Sequence, residues 1–173
     1  MAVLRELDVE GRELRLPRDF EGVDGLIIPG GESTTLSHLI NLYDISPIIT
    51  DMAQKGRPIW GTCAGMIMLA RDLLDKKPAT LGLMDIQINR NAYGRQINSF
   101  EADLNIDCIG PTPFKGVFIR APSIAQVGNG VKILSSLANK EPVAVQEGNL
   151  LAPSFHPELT TDTRLHEYFL TLT

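Results

Sequence analysis

Residues 58–70 read Pro58-Ile59-Trp60-Gly61-Thr62-Cys63-Ala64-Gly65-Met66-Ile67-Met68-Leu69-Ala70. An apolar run enters, a thiol sits between small residues, and a second apolar run leaves with helical character. This is a nucleophile elbow in cysteine form: a strand-to-helix turn sharp enough to need small flanking residues, exposing the sulfur beside the amides of a helix N-terminus. A distant second stretch, Ser154-Phe155-His156-Pro157-Glu158, supplies a base and a carboxylate two residues apart, on one face of an extended chain. Cys63, His156 and Glu158 therefore propose a triad.

Working outward from the elbow, strands and helices alternate. Gly25-Leu26-Ile27-Ile28 is a short strand closed by Pro29-Gly30-Gly31, and Ser33-Thr34-Thr35 offers N-caps for a helix through Leu36, Leu39 and Ile40. A second helix is expected over 45–55, ending at Gly56, and the helix after the elbow over Ala64 to Asp75. Beyond it, 83–88, 102–106, 116–120, 142–146 and 149–154 read as strands, and 163–172 returns to helical spacing. This order predicts parallel βαβ units with a mixed or antiparallel addition. The chain opens differently: residues 1–7 read as the tail of a helix, and only Glu13-Leu14-Arg15-Leu16 then reads as a strand. The buried opening strand of a doubly wound sheet has no counterpart here.

Composition narrows the function. The chain has 173 residues, of which 43% are hydrophobic and 21% charged, values that suit one domain with a sizeable core. Its 16 basic and 21 acidic residues give a net charge of -5, which disfavours nucleic acid as the main partner. No stretch is long and apolar enough for a membrane span, and a disulfide framework is not expected from Cys63 and Cys108 alone. A cytosolic protein is expected. Cys108, His38 and His166 have no partner at metal or catalytic spacing, and His166 is expected to be exposed on its helix.

Five blocks carry a resemblance to a known family. They are Pro29-Gly30-Gly31-Glu32-Ser33-Thr34-Thr35, Gly61-Thr62-Cys63-Ala64-Gly65, Arg90-Asn91-Ala92-Tyr93-Gly94-Arg95-Gln96, Phe118-Ile119-Arg120-Ala121-Pro122 and Ser154-Phe155-His156-Pro157-Glu158-Leu159-Thr160. From about Leu14 to the C-terminus the chain resembles the glutaminase subunit of pyridoxal 5'-phosphate synthase, a class I, triad-type glutamine amidotransferase family. The cysteine and His-Pro-Glu blocks belong to the whole class, whereas the other three are specific to this subunit.

The resemblance implies a flavodoxin-like, three-layer α/β fold with a mixed central sheet, here lacking the usual first strand, in a single glutaminase domain over 1–173. It implies hydrolysis of L-glutamine by Cys63, His156 and Glu158 through a γ-glutamyl thioester, without metal or organic cofactor. Gly31, Glu32 and Ser33 would contact glutamine, with Arg90 and the Ile119-Arg120 pair completing the pocket. An arginine suits the α-carboxylate because its planar fork makes two charge-assisted bonds; the sequence leaves open which one does so, and leaves Arg95 between pocket and structural roles. The oxyanion donors would be the Ala64 amide and one from the Gly30-Gly31 loop. The implied partner is a (β/α)8 barrel synthase in a large hetero-oligomer, which receives the ammonia directly and activates the glutaminase. Because the family's first strand and its glutamine-bearing loop have no match, an inactive or weakened partner-binding form is the alternative. A glutaminase of another biosynthetic pathway is a third reading, disfavoured by the subunit-specific blocks.

Overall fold

Alternating apolar residues on the strands decide the architecture, because each strand sends successive side chains to opposite faces of a sheet. The computed structural model describes residues 1–90 and 99–172. In chain order its helices are α1 (Ala2–Glu6), α2 (Ser33–Leu42), α3 (Ser46–Gln54), α4 (Ala64–Leu69) and α5 (Arg164–Leu170). The strands are β1 (Leu26–Ile28), β2 (Ile59–Gly61), β3 (Ala70–Leu73), β4 (Met84–Asn89), β5 (Ser99–Leu104), β6 (Phe114–Ile119), β7 (Ser123–Val127), β8 (Lys132–Ser136), β9 (Pro142–Glu147) and β10 (Leu150–Pro153).

The central sheet has the order β1-β2-β10-β9-β8. β2 runs parallel to β1 on one side and to β10 on the other, while β9 is antiparallel to both β10 and β8. It is the mixed α/β sheet expected from the sequence. Ile59 of β2 and Leu150 and Ala152 of β10 pack with α2, α3 and α4 residues such as Ile40, Ile49 and Ile67. Trp60 and Leu151, one residue along on the same strands, enter a second core with Phe114, Phe118, Phe155, Leu165 and Phe169. The sheet thus separates two apolar cores. Smaller sheets, β3-β4-β7 and β5-β6, flank it.

Several expectations are corrected. The helix expected over Ala64 to Asp75 stops at Leu69, and Ala70, with φ -56 and ψ 144, turns the chain into β3, which pairs in parallel with β4. All six residues of α4 are buried, so its sequence is apolar on every side and periodicity could not mark the end. The strand expected at 13–16 does not form. Asp19 accepts from the Arg15 and Leu16 amides at 2.9 and 2.8 Å, taking donors that a ladder would need, and Pro17 opens a 3-10 turn. Helix α2 is capped by Glu32, whose side chain accepts from the Thr34 and Thr35 amides, rather than by the serine and threonines. β7 and β8 were not anticipated. His166 is buried, not exposed, because Leu165, His166 and Phe169 form the inward face of α5.

Candidate active site

Two glycines make the elbow possible. A Cβ on Gly65 would stand 2.1 Å from the Ile28 carbonyl oxygen, and one on Gly61 would stand 2.4 Å from the Gly65 carbonyl oxygen. Helix α4 therefore lies against β1 and β2 at a distance only bare backbone permits. Between them Cys63 adopts φ 49 and ψ -100, a left-handed conformation rare for a residue with a side chain. The turn is held by Cys63 N donating to Pro153 O at 3.0 Å and Gly65 N donating to Thr62 O at 2.7 Å. Ala64 opens α4, so its amide has no acceptor within the helix.

The second stretch meets the elbow at the C-terminal end of β10, the neighbour of β2. His156 follows that strand, and its backbone amide donates to Val117 O of β6 at 2.8 Å. Its Nδ1 lies 2.7 Å from Glu158 Oε1. The imidazole is drawn up to a pKa of about 9, first by a side-chain hydrogen bond with Cys63 and next by the one with Glu158, against the opposing effect of burial. It is therefore an imidazolium at neutral pH, carrying a proton beside the sulfur. Burial raises the Glu158 carboxyl, but the bond to His156 outweighs it and the net shift is downward. Gly30 packs against the Cε1 edge of the ring: a Cβ there would sit 2.4 Å from His156 Cε1 and 3.1 Å from Nδ1. Glycine at this position lets the main chain come close to that edge of the imidazole.

The other residues singled out by the sequence divide into groups. Ile119 ends β6 with its carbonyl oxygen 4.0 Å from Cys63 Sγ, and Arg120 follows at φ 46. Both line a cavity of about 570 Å³ with Ser99, Phe100, Glu101 and Val117. Gly31, at φ 145, continues the loop after β1 and faces open space. Ser33 is buried, and its Oγ accepts from Arg90 Nη1 at 3.1 Å. The Glu32 carboxylate points back to its own helix, where the Thr34 amide and the side chain and amide of Thr35 lower its pKa to about 2. It is occupied as a cap. Arg95 lies outside the described residues. Sequence reasoning missed Asp75, which binds Arg90 Nε at 2.9 Å across 15 residues; no motif marks it, because the pairing of β3 with β4 creates the contact.

A sequence profile of the SNO glutamine amidotransferase family matches residues 2–173. The chain belongs to this family. The pyridoxal 5'-phosphate synthase subunit PdxT of Herpetosiphon aurantiacus is 50% identical over 174 aligned positions, covering 98% of this chain and 91% of the relative. The protein of the same name from Dehalococcoides mccartyi is 51% identical over 172 positions, covering 97% and 87%. A crystal structure of a glutamine amidotransferase superimposes with a TM-score of 0.93 at 44% identity, covering 99% of this chain and 90% of that one. The family member thus carries its elbow and its His-x-Glu pair on the α/β scaffold expected of a class I glutamine amidotransferase. Among the described residues no cluster of His, Cys, Asp and Glu is arranged to hold a metal, and no helix is long and apolar enough to cross a membrane.

Proposed function

We propose that this chain is the glutaminase subunit of a pyridoxal 5'-phosphate synthase, a single glutaminase domain that hydrolyses L-glutamine to L-glutamate and ammonia. The observation that carries the reading is the 2.7 Å contact of His156 with Glu158, with the imidazole pKa raised by its nearness to Cys63 at a strained elbow, in a member of a glutamine amidotransferase family. The similarity over nearly the full chain to proteins named as subunits of that synthase supports the pathway.

In this reading the Cys63 sulfur attacks the side-chain carboxamide carbon of glutamine, forming a C–S bond as the carbonyl π electrons move to oxygen. His156, holding a proton, delivers it to the departing nitrogen as the C–N bond breaks, and ammonia leaves. Water then adds to the γ-glutamyl thioester, His156 accepts its proton, and the C–S bond breaks to release glutamate. Glu158 keeps the imidazole in the productive orientation and stabilises its charged form. The Ala64 amide and one from the Gly30-Gly31 loop receive the oxyanion. Gly31, Ser33, Arg90, Ile119 and Arg120 surround the substrate, and Glu32, whose carboxylate is engaged in capping, contributes through its backbone.

Ammonia is mostly protonated near neutral pH and is then a poor nucleophile. Direct delivery to a (β/α)8 barrel synthase in a large cytosolic hetero-oligomer follows from that chemistry and from the family resemblance. The test is glutamate release from L-glutamine by this chain, alone and mixed with the barrel subunit. Turnover that depends on the partner and disappears in Cys63→Ala, with assembly retained, is the expected result. Turnover surviving in Cys63→Ala removes the nucleophile assignment, and no turnover in the assembled wild type removes the reading.

A further inference from the structure

Arg90 is held from two sides. It follows the C-terminal end of β4, and Asp75 follows the C-terminal end of β3; the two strands are parallel with Leu73 opposite Ile88, so the same register brings both residues to one end of the sheet. Arg90 Nε and Nη2 both reach Asp75 Oδ2, at 2.9 and 2.8 Å, and Nη1 reaches the buried Ser33 Oγ at 3.1 Å. A guanidinium has five N–H donors. Sharing one oxygen between Nε and Nη2 engages the side edge of the plane, and Ser33 engages one donor on Nη1. Among the described residues this leaves one donor on Nη1 and one on Nη2 for a ligand, and a carboxylate can accept from both nitrogens of a guanidinium.

We propose that Asp75 is a positioning residue for substrate: by fixing the side edge of Arg90, it aims the remaining fork at the α-carboxylate of glutamine above Ser33. This rests on the glutaminase reading and adds to it a residue outside all five family-like blocks, while assigning the α-carboxylate to Arg90 rather than Arg120. A merely structural ion pair at this degree of exposure, 21% for the Arg90 side chain and 39% for Asp75, would contribute little and need no third contact. The contact with Ser33 joins the pair to the first residue of α2, at the end of the loop that carries Gly30, the residue packed on His156. The Asp75 carboxylate is kept ionised, as holding a guanidinium requires. Burial opposes this, but the bonds from Arg90 and the Lys77 amide outweigh it and lower the pKa.

The experiment compares wild type, Asp75→Asn and Asp75→Glu, each assembled with the barrel subunit, with folding followed by circular dichroism. Asp75→Asn removes the charge but keeps the size, so the KM for L-glutamine is expected to rise about tenfold while kcat changes by less than about threefold. Ammonia release from L-glutamine α-methyl ester, which lacks the carboxylate charge, should be nearly unaffected, so the preference for glutamine over the ester falls. Asp75→Glu should recover part of that preference. A folded Asp75→Asn with unchanged KM, or with kcat reduced and KM unchanged, overturns the proposal. Loss of the fold in both variants also overturns it, since Asp75 is then structural. Absence of wild-type turnover is a separate result that rejects the glutaminase reading itself.

Discussion

At the residue scale, the site depends on one imidazole having two partners. Without Cys63 and Glu158, burial would push His156 below its ordinary value of 6.5; with them it stands at about 9. A raised folded-state pKa means that the proton is bound more tightly in the native chain than in the unfolded one. The resulting stability is complete below about pH 6.5 and is lost as pH rises through about 9. Glu158 has the opposite sign: its lowered pKa contributes stability above its ordinary 4.5 that disappears as pH falls through the native value. The Glu158→Gln variant removes the second cause of the histidine shift. NMR titration of the His156 Cε1 proton should therefore give a midpoint near 9 in the wild type and a lower one in Glu158→Gln, and the alkaline limb of glutamate release should move down with it. Equal midpoints in the two proteins would mean that the 2.7 Å contact does not govern the proton.

At the element scale, what the sequence revealed depends on whether a local pattern had a local cause. The elbow was legible because its glycines answer a backbone demand: Gly65 meets the Ile28 carbonyl and Gly61 meets Gly65. The same holds for β1, β2, β9 and β10, short apolar runs closed by turn residues. It fails where a tertiary partner decides. β3 follows an apolar helix-like run and becomes a strand by pairing with β4, and residues 13–16 lose their strand to the Asp19 carboxylate three residues past its end. Asp75 escaped notice for the same reason as β3, its role coming from a strand pairing rather than from neighbours in sequence. In the candidate site, Cys63, His156 and Glu158 have a backbone or motif signature that the sequence displays, whereas the residue holding Arg90 has none. The close approach of α4 to β1 also carries a prediction. Gly65→Ala forces a methyl to within 2.1 Å of a backbone oxygen that cannot rotate away, so the helix must lift from the sheet. A loss of about 2–4 kcal/mol is expected, seen as a fall in Tm of roughly 5–15 °C. A Tm within about 2 °C of wild type would show that the helix has room to spare.

At the scale of the whole molecule, two cores share one sheet, and β2 belongs to both. Ile59 is fully buried on the side of α2, α3 and α4, while Trp60, 1% exposed, packs on the other side with ring centroids 4.7 Å from His166 and 5.5 Å from Phe169. Unfolding one face would strip β2 and β10 of half their packing, so neither core should survive the other. Trp60 is the chain's single tryptophan, and its fluorescence reports the α5 side alone. Far-UV circular dichroism instead samples all elements. If residues 1–173 form one cooperative domain, urea unfolding followed by the two probes gives coincident transitions. The same coupling should make Phe155→Ala, which empties the second core beneath His156, cost about 3–5 kcal/mol and lower both transitions together. A fluorescence midpoint that moves while the dichroism midpoint stays would divide the chain into two units along the sheet. Because Cys63 leaves β2 and His156 leaves β10, such a division would also leave the proposed triad without a stable common support, and the glutaminase reading would need a partner to hold the two faces together.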